Sequence, residues 1–85
     1  MPQVLVFWDK TDYEIVNVTA PVPLSITLTS KHSGVATNFD VDIIGIANQT
    51  KQTHDHFYVV MDSSSNGLGR KDIFMGISLS RISPI

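Results

Sequence analysis

Apolar and polar positions alternate with a period of two through three stretches in the second half of the chain. Phe39, Val41 and Ile43 are separated by Asp40 and Asp42, Phe57, Val59 and Met61 take the odd positions of the next stretch, and Ile73, Met75, Ile77 and Leu79 do so in the last. Successive side chains of an extended strand point to opposite faces, so this period marks a strand with one face on a core. Three strands are therefore expected between Asn38 and Ser80, with the odd residues forming one wall. Turn chemistry suggests how they pair. A tight turn at Ser33-Gly34 puts Leu28 opposite Phe39 and Ile26 opposite Val41. A turn near Thr50 puts Val41 opposite Val59 and Ile43 opposite Phe57. The Asn66-Gly67 signal puts Met61 opposite Ile73 and Val59 opposite Met75.

The first half supplies the remaining strands. Gln3 to Trp8 is apolar on both faces, with Val4, Val6 and Trp8 on one and Leu5 and Phe7 on the other. Such a strand is covered twice, by its own fold or by a neighbouring subunit. Tyr13 to Ala20 is rich in β-branched residues, Pro21 and Pro23 then break the ladder, and Leu24 to Thr29 alternates with Leu24, Ile26 and Leu28 inward. No helical period of useful length and no internal repeat is found. The pattern predicts an all-β chain, a small antiparallel β-sandwich or flattened barrel of about six strands, in one domain over residues 1–85. Its core should hold Val4, Val6, Ile15, Val16, Leu24, Ile26 and Leu28 beside the odd residues named above.

Composition changes this picture in one respect. A chain of 85 residues buries only about 60–65% of the surface its unfolded form exposes, so it profits from a supplement. The sequence has no Cys, which excludes disulfides and thiolate metal sites and leaves oligomerisation or assembly. Charged residues make up 16% of the chain, against about 25% in ordinary domains, and Ser and Thr stand in their place. A hydroxyl-rich exterior suits extended sheets and stacked assemblies. Net charge is −2 and only Arg70-Lys71 are adjacent bases, so the footprint that nucleic-acid binding needs is missing. No apolar run approaches the ~20 residues of a membrane span, and the start lacks a signal-peptide pattern.

His54-Asp55-His56 is the most suggestive constellation. On a strand, His54, His56 and Tyr58 share a face, and Asp42 is expected on the same face of the preceding strand. Two His two apart plus a neighbouring carboxylate can hold a divalent metal. A metal-dependent enzyme would need further ligands, but Phe57 to Met61 offer none and Glu14 is the only Glu. The favoured reading is a solvated His pair beside Asp42, with no metal and no cofactor. Gly67-Leu68-Gly69-Arg70-Lys71 has the glycines of a phosphate loop, but such a loop requires a following helix. A strand is expected to follow, so the segment reads as a hairpin tip. No Gly-x-Ser-x-Gly elbow is present. Trp8 and Tyr58, with Asn48 and Gln49 from the polar loop, are the candidate platform for a sugar.

These features predict a non-enzymatic structural or interaction module, most concretely a virion decoration or minor capsid protein, with a carbohydrate-binding module and a metal-dependent enzyme as alternatives. Its partners are expected to be proteins or copies of itself, at a virion or extracellular surface rather than in the cytoplasm. The expected contact residues are Leu5, Phe7 and Trp8 at one end and Ile82 and Ile85 at the other, because Pro84 forbids ladder continuation and frees an apolar tail.

Overall fold

The computed structural model describes residues 2–48, 50–62 and 68–85, with Asn48 by its backbone. Its elements in chain order are strands β1 (Gln3–Phe7), β2 (Tyr13–Asn17), β3 (Ser25–Thr29), β4 (Ala36–Asp40), β5 (Asp42–Asn48) and β6 (Thr53–Met61), followed by helix α1 (Arg70–Ser80). The strands form a four-stranded sheet in the order β2-β1-β6-β5 and a two-stranded sheet, β3-β4. The described residues are thus mostly β, with two sheets and one helix.

The two-faced apolar character of β1 follows from its position. It is central, antiparallel to β2 and parallel to β6, so an all-antiparallel arrangement does not hold. On one face Leu5 and Phe7 pack with Phe57, Val59, Ile77 of α1 and Ile82 of the tail. On the other, Val4, Val6 and Trp8 pack with Val60 and with Phe39 of β4. The sheet therefore has a helix layer on one side and the β3-β4 hairpin on the other. Burying a large apolar side chain is worth about 1.5–3 kcal/mol, and β1 contributes to both layers.

The final strand of the sequence reading is replaced by α1. A helix buries positions i, i+3, i+4 and i+7, here Ile73, Gly76, Ile77 and Ser80, of which Gly76 and Ile77 are buried. Gly76 lies against the sheet so closely that a Cβ there would stand 2.5 Å from Phe7 Cε1 and Cζ. Because two inward positions are small, Ile73 and Ile77 read together with Met75 and Leu79 as an odd-numbered strand face, although Phe74 at an even position breaks the alternation. The helix starts where Asp72 Oδ2 accepts the Gly69 N–H at 2.9 Å, a carboxylate placed well for the helix dipole. It ends at Arg81, with φ of 57°. The pairings of Met61 with Ile73 and Val59 with Met75 are accordingly wrong: Val59 pairs with Leu5 and Met61 with Phe7. The Asn66-Gly67 turn lies outside the described residues.

The other two hairpins form with shifted registers. In β3-β4 the pairs are Ile26 with Phe39 and Leu28 with Thr37, two residues from expectation. Ser30 N donates to Val35 O at 3.1 Å, closing a longer turn in which Gly34 takes a φ of 72°. The shift is even, so the inward faces survive. In β5-β6 the pairs are Ile44 with Phe57 and Ile43 with Tyr58, one residue from expectation, and every face is inverted. The cause is Val41. Its N–H donates to Leu24 O at 2.9 Å, at the point where the chain leaves the hairpin layer and enters the sheet. Phe39 and Val41 belong to the hairpin-side core and Ile44 and Ile46 to the helix-side core, while Ile43 is exposed.

One buried polar contact joins the layers. Ser30 Oγ donates to Asp62 Oδ2 at 3.0 Å, with both residues buried. The Asp62 N–H donates to Phe7 O at 3.0 Å, which fixes the end of β6 beside β1. Replacing Asp62 with Ala is expected to lower unfolding free energy by about 1.5–3 kcal/mol, because a hydrogen bond to a charged group is lost in a buried setting. Urea unfolding of Asp62→Ala checks this, and a midpoint equal to wild type would show that the contact does not hold the layers.

Candidate functional site

The surface with the most unassigned chemistry is the end of the sheet that projects past the hairpin layer. On β6, His54, His56 and Tyr58 share the hairpin-side face; opposite them on β5 stand Ala47, Gly45 and Ile43. His54 and His56 are exposed and Tyr58 is half-buried. Gly45 makes room for its neighbour: a Cβ there would lie 3.3 Å from His56 Nε2, so the imidazole leans over the glycine.

The alternative metal set, His54 and His56 with Asp42, is not assembled, and the favoured placing of Asp42 beside the His pair does not hold either. Asp42 pairs with Val59, and paired residues share a face, so Asp42 lies on the helix side of the sheet and the His pair on the other. The inverted register of β5 is the reason. Among the described residues no three His, Asp or Glu side chains gather as a ligand set. The third histidine is engaged elsewhere, with His32 Nε2 against Trp8 O. Ser30 does not stand as a nucleophile either, since its Oγ donates to the Asp62 carboxylate and receives the His32 backbone N–H.

The apolar residues assigned to a partner are mostly in the core. Leu5 and Phe7 are 0% exposed and Trp8 is 2% exposed, because the helix and hairpin layers cover both faces of β1. Ile82 is buried in the helix-side core. Ile85 is 64% exposed, yet the tail does not leave the fold. Ser83 N donates to Gln3 Oε1 at 2.8 Å and Ile85 N donates to His56 O at 2.7 Å, so the tail lies along β6 where β1 has not yet begun.

The sugar platform is likewise dispersed. Trp8 is internal, packed edge-on against Phe39 at 5.8 Å, with its Nε1–H donating to Glu14 Oε1 at 3.3 Å. Gln49 and the Asn48 side chain lie outside the described residues. Tyr58 remains accessible and, with Pro2, Gln3, Ser83, Pro84 and Ile85, lines an open pocket of about 220 Å³. Sequence reasoning missed this pocket, because its walls come from β6 and from the two ends of the chain, which strand pairing and the tail hydrogen bonds bring together.

A helix does follow Gly69, which removes the reason for reading Leu68 to Lys71 as a hairpin tip; Gly67 lies outside the described residues. The Asp72 carboxylate already occupies the helix start, where an anion would have to compete with it. The outer side of α1 is unusual in another way: Phe74, Met75 and Leu79 are all exposed, the last two at 60% and 66%. Among the described residues no helix is long and apolar enough to cross a membrane. No family model matches the chain, and neither curated proteins nor solved structures include a significant match.

Proposed function

We propose that this chain is a non-enzymatic structural module that works by binding protein surfaces within a larger assembly, its two sheets serving as a thin sandwich-like scaffold. A virion decoration or minor capsid protein is the most concrete form of that role. The observation that carries the reading is the apolar outer side of α1, where Met75 and Leu79 stand one turn apart beside Phe74. Monomeric soluble proteins rarely expose contiguous apolar patches without a partner. The weakly charged exterior, with a net charge of −2, opposes assembly little. Native mass spectrometry of material from the source organism tests the reading. The chain is expected within a multi-component or multi-copy particle. Recovery only as a free species of 9.4 kDa overturns it.

The terminal pocket favours a second reading, a carbohydrate-binding module that uses Tyr58 as its aromatic wall. A glycan array with wild type and Tyr58→Ala separates the two, since sugar binding should vanish in the variant while assembly persists.

A further inference from the structure

The geometry points to the outer edge of β5 as a self-pairing site, at which a second copy of this chain adds its own β5 antiparallel about Gly45. This deepens the assembly reading and rests on it. The first observation is the direction of the backbone groups. His56 O accepts from Ile85 N and Phe7 O accepts from Asp62 N, so the even-numbered residues of β6 direct their backbone groups toward β1 and the tail. His56 therefore bonds away from β5. Gly45, opposite His56, forms a non-hydrogen-bonded pair with it, and its own N–H and C=O point to the free side. By the alternation of a strand the same holds for Ile43 and Ala47. Three donors and three acceptors thus face outward along an edge that no described strand occupies, β5 being terminal in its sheet.

The second observation is what an occupant must be. Free N–H and C=O groups at this spacing are completed by an extended strand. Antiparallel pairing about Gly45 brings Ile43 opposite Ala47 of the second copy, Gly45 opposite Gly45, and Ala47 opposite Ile43. All outward groups are then in register, giving six backbone hydrogen bonds by this geometry. Ile44 meets Ile46 of the second copy on the helix side, where both already belong to the helix-side core, so that core continues across the axis. Asp42, the only charge in the strand, falls opposite Asn48, and like charges do not meet. At the axis itself the glycine carries no side chain, and His56 leans over it from β6. The usual protections of an edge are missing from Ile43–Ala47: it has no Lys, no Pro and no charge. The opposite edge, β2, is shorter and carries the exposed Glu14.

Sedimentation of the purified full chain, joined to residue-resolved hydrogen exchange, tests the proposal. Wild type is expected to be dimeric at high concentration. Amides of Ile43, Gly45 and Ala47 should gain protection as concentration rises, while Ile44 and Ile46 are protected throughout. Ala47→Pro removes an outward N–H without breaking the ladder to β6, and should weaken the dimer about tenfold or more. Val35→Lys, an exposed change in the turn between β3 and β4, should leave it intact. A monomer at every concentration, or a dimer in which the three amides exchange as fast as in dilute solution, overturns self-pairing at β5. Neither result touches the wider assembly reading, which is decided separately by the state of the chain in native material. The hydrogen-exchange arm stands even if Ala47→Pro fails to fold.

Discussion

Phe7→Ala should lower the unfolding free energy by about 3–5 kcal/mol, against a total of roughly 5–15 kcal/mol for a small domain. Phe7 has no exposed surface. Its ring sits 5.5 Å from Tyr13, its backbone pairs with Tyr13 and Met61 on either side, and Gly76 of α1 approaches it from above. Truncation leaves a cavity that two strands and a helix would have to collapse into. The helix layer is held to the sheet largely by such contacts, so helical signal and tertiary structure should be lost together. Urea unfolding followed by circular dichroism reads this directly. The matched control is Ile85→Ala, an exposed change expected to stay within about 0.5 kcal/mol. If Phe7→Ala instead kept wild-type stability and abolished self-association, β1 would be a docking strand and the two-sided core described here would be wrong.

That outcome separates two readings that the sequence leaves open. The strand from Gln3 to Trp8 is legible as covered on both faces, because apolar residues fill both parities. What covers it is not legible, because the cover is α1 and the β3-β4 hairpin, and α1 hides its own period. Inward-facing Gly76 and Ser80 carry no hydrophobic signal, so Ile73 and Ile77 read together with the outward Met75 and Leu79 as one odd-numbered strand face, a pattern that Phe74 at an even position breaks. Only Asp72, three residues after Gly69, marks the helix start. The β5 error has a different origin. Phe39, Val41 and Ile43 look like one strand, but Val41 is where the chain changes layers, and a sheet-to-sheet crossing leaves the alternation intact while reversing its meaning. The consequence reached the candidate site, since it moved Asp42 away from His54 and His56. The open edge of β5 could be seen only once strand order was known, and the terminal pocket only once the tail hydrogen bonds were.

Gly76→Ala is expected to destabilise the protein by about 1–3 kcal/mol, the usual range for overpacking a filled interior. This is opposite in sign to what an exposed helix position gives, where Gly to Ala gains about 1 kcal/mol. The sign follows from distance. A Cβ at 76 would stand 2.5 Å from two ring carbons of Phe7, and that ring is locked among Tyr13, Val59 and Ile77 in the helix-side core. Neither the helix nor the ring can yield without opening the layer between them. Phe7→Leu removes the ring carbons in question, so the two substitutions should couple strongly. In the Phe7→Leu background, Gly76→Ala should be neutral or should stabilise by about 1 kcal/mol through helix propensity alone. A double-mutant cycle from four urea titrations measures the term. Additive effects, or a rise in stability from Gly76→Ala alone, would mean that α1 does not rest on Phe7, and that its alternating residues Met75 and Leu79 have some other inward partner.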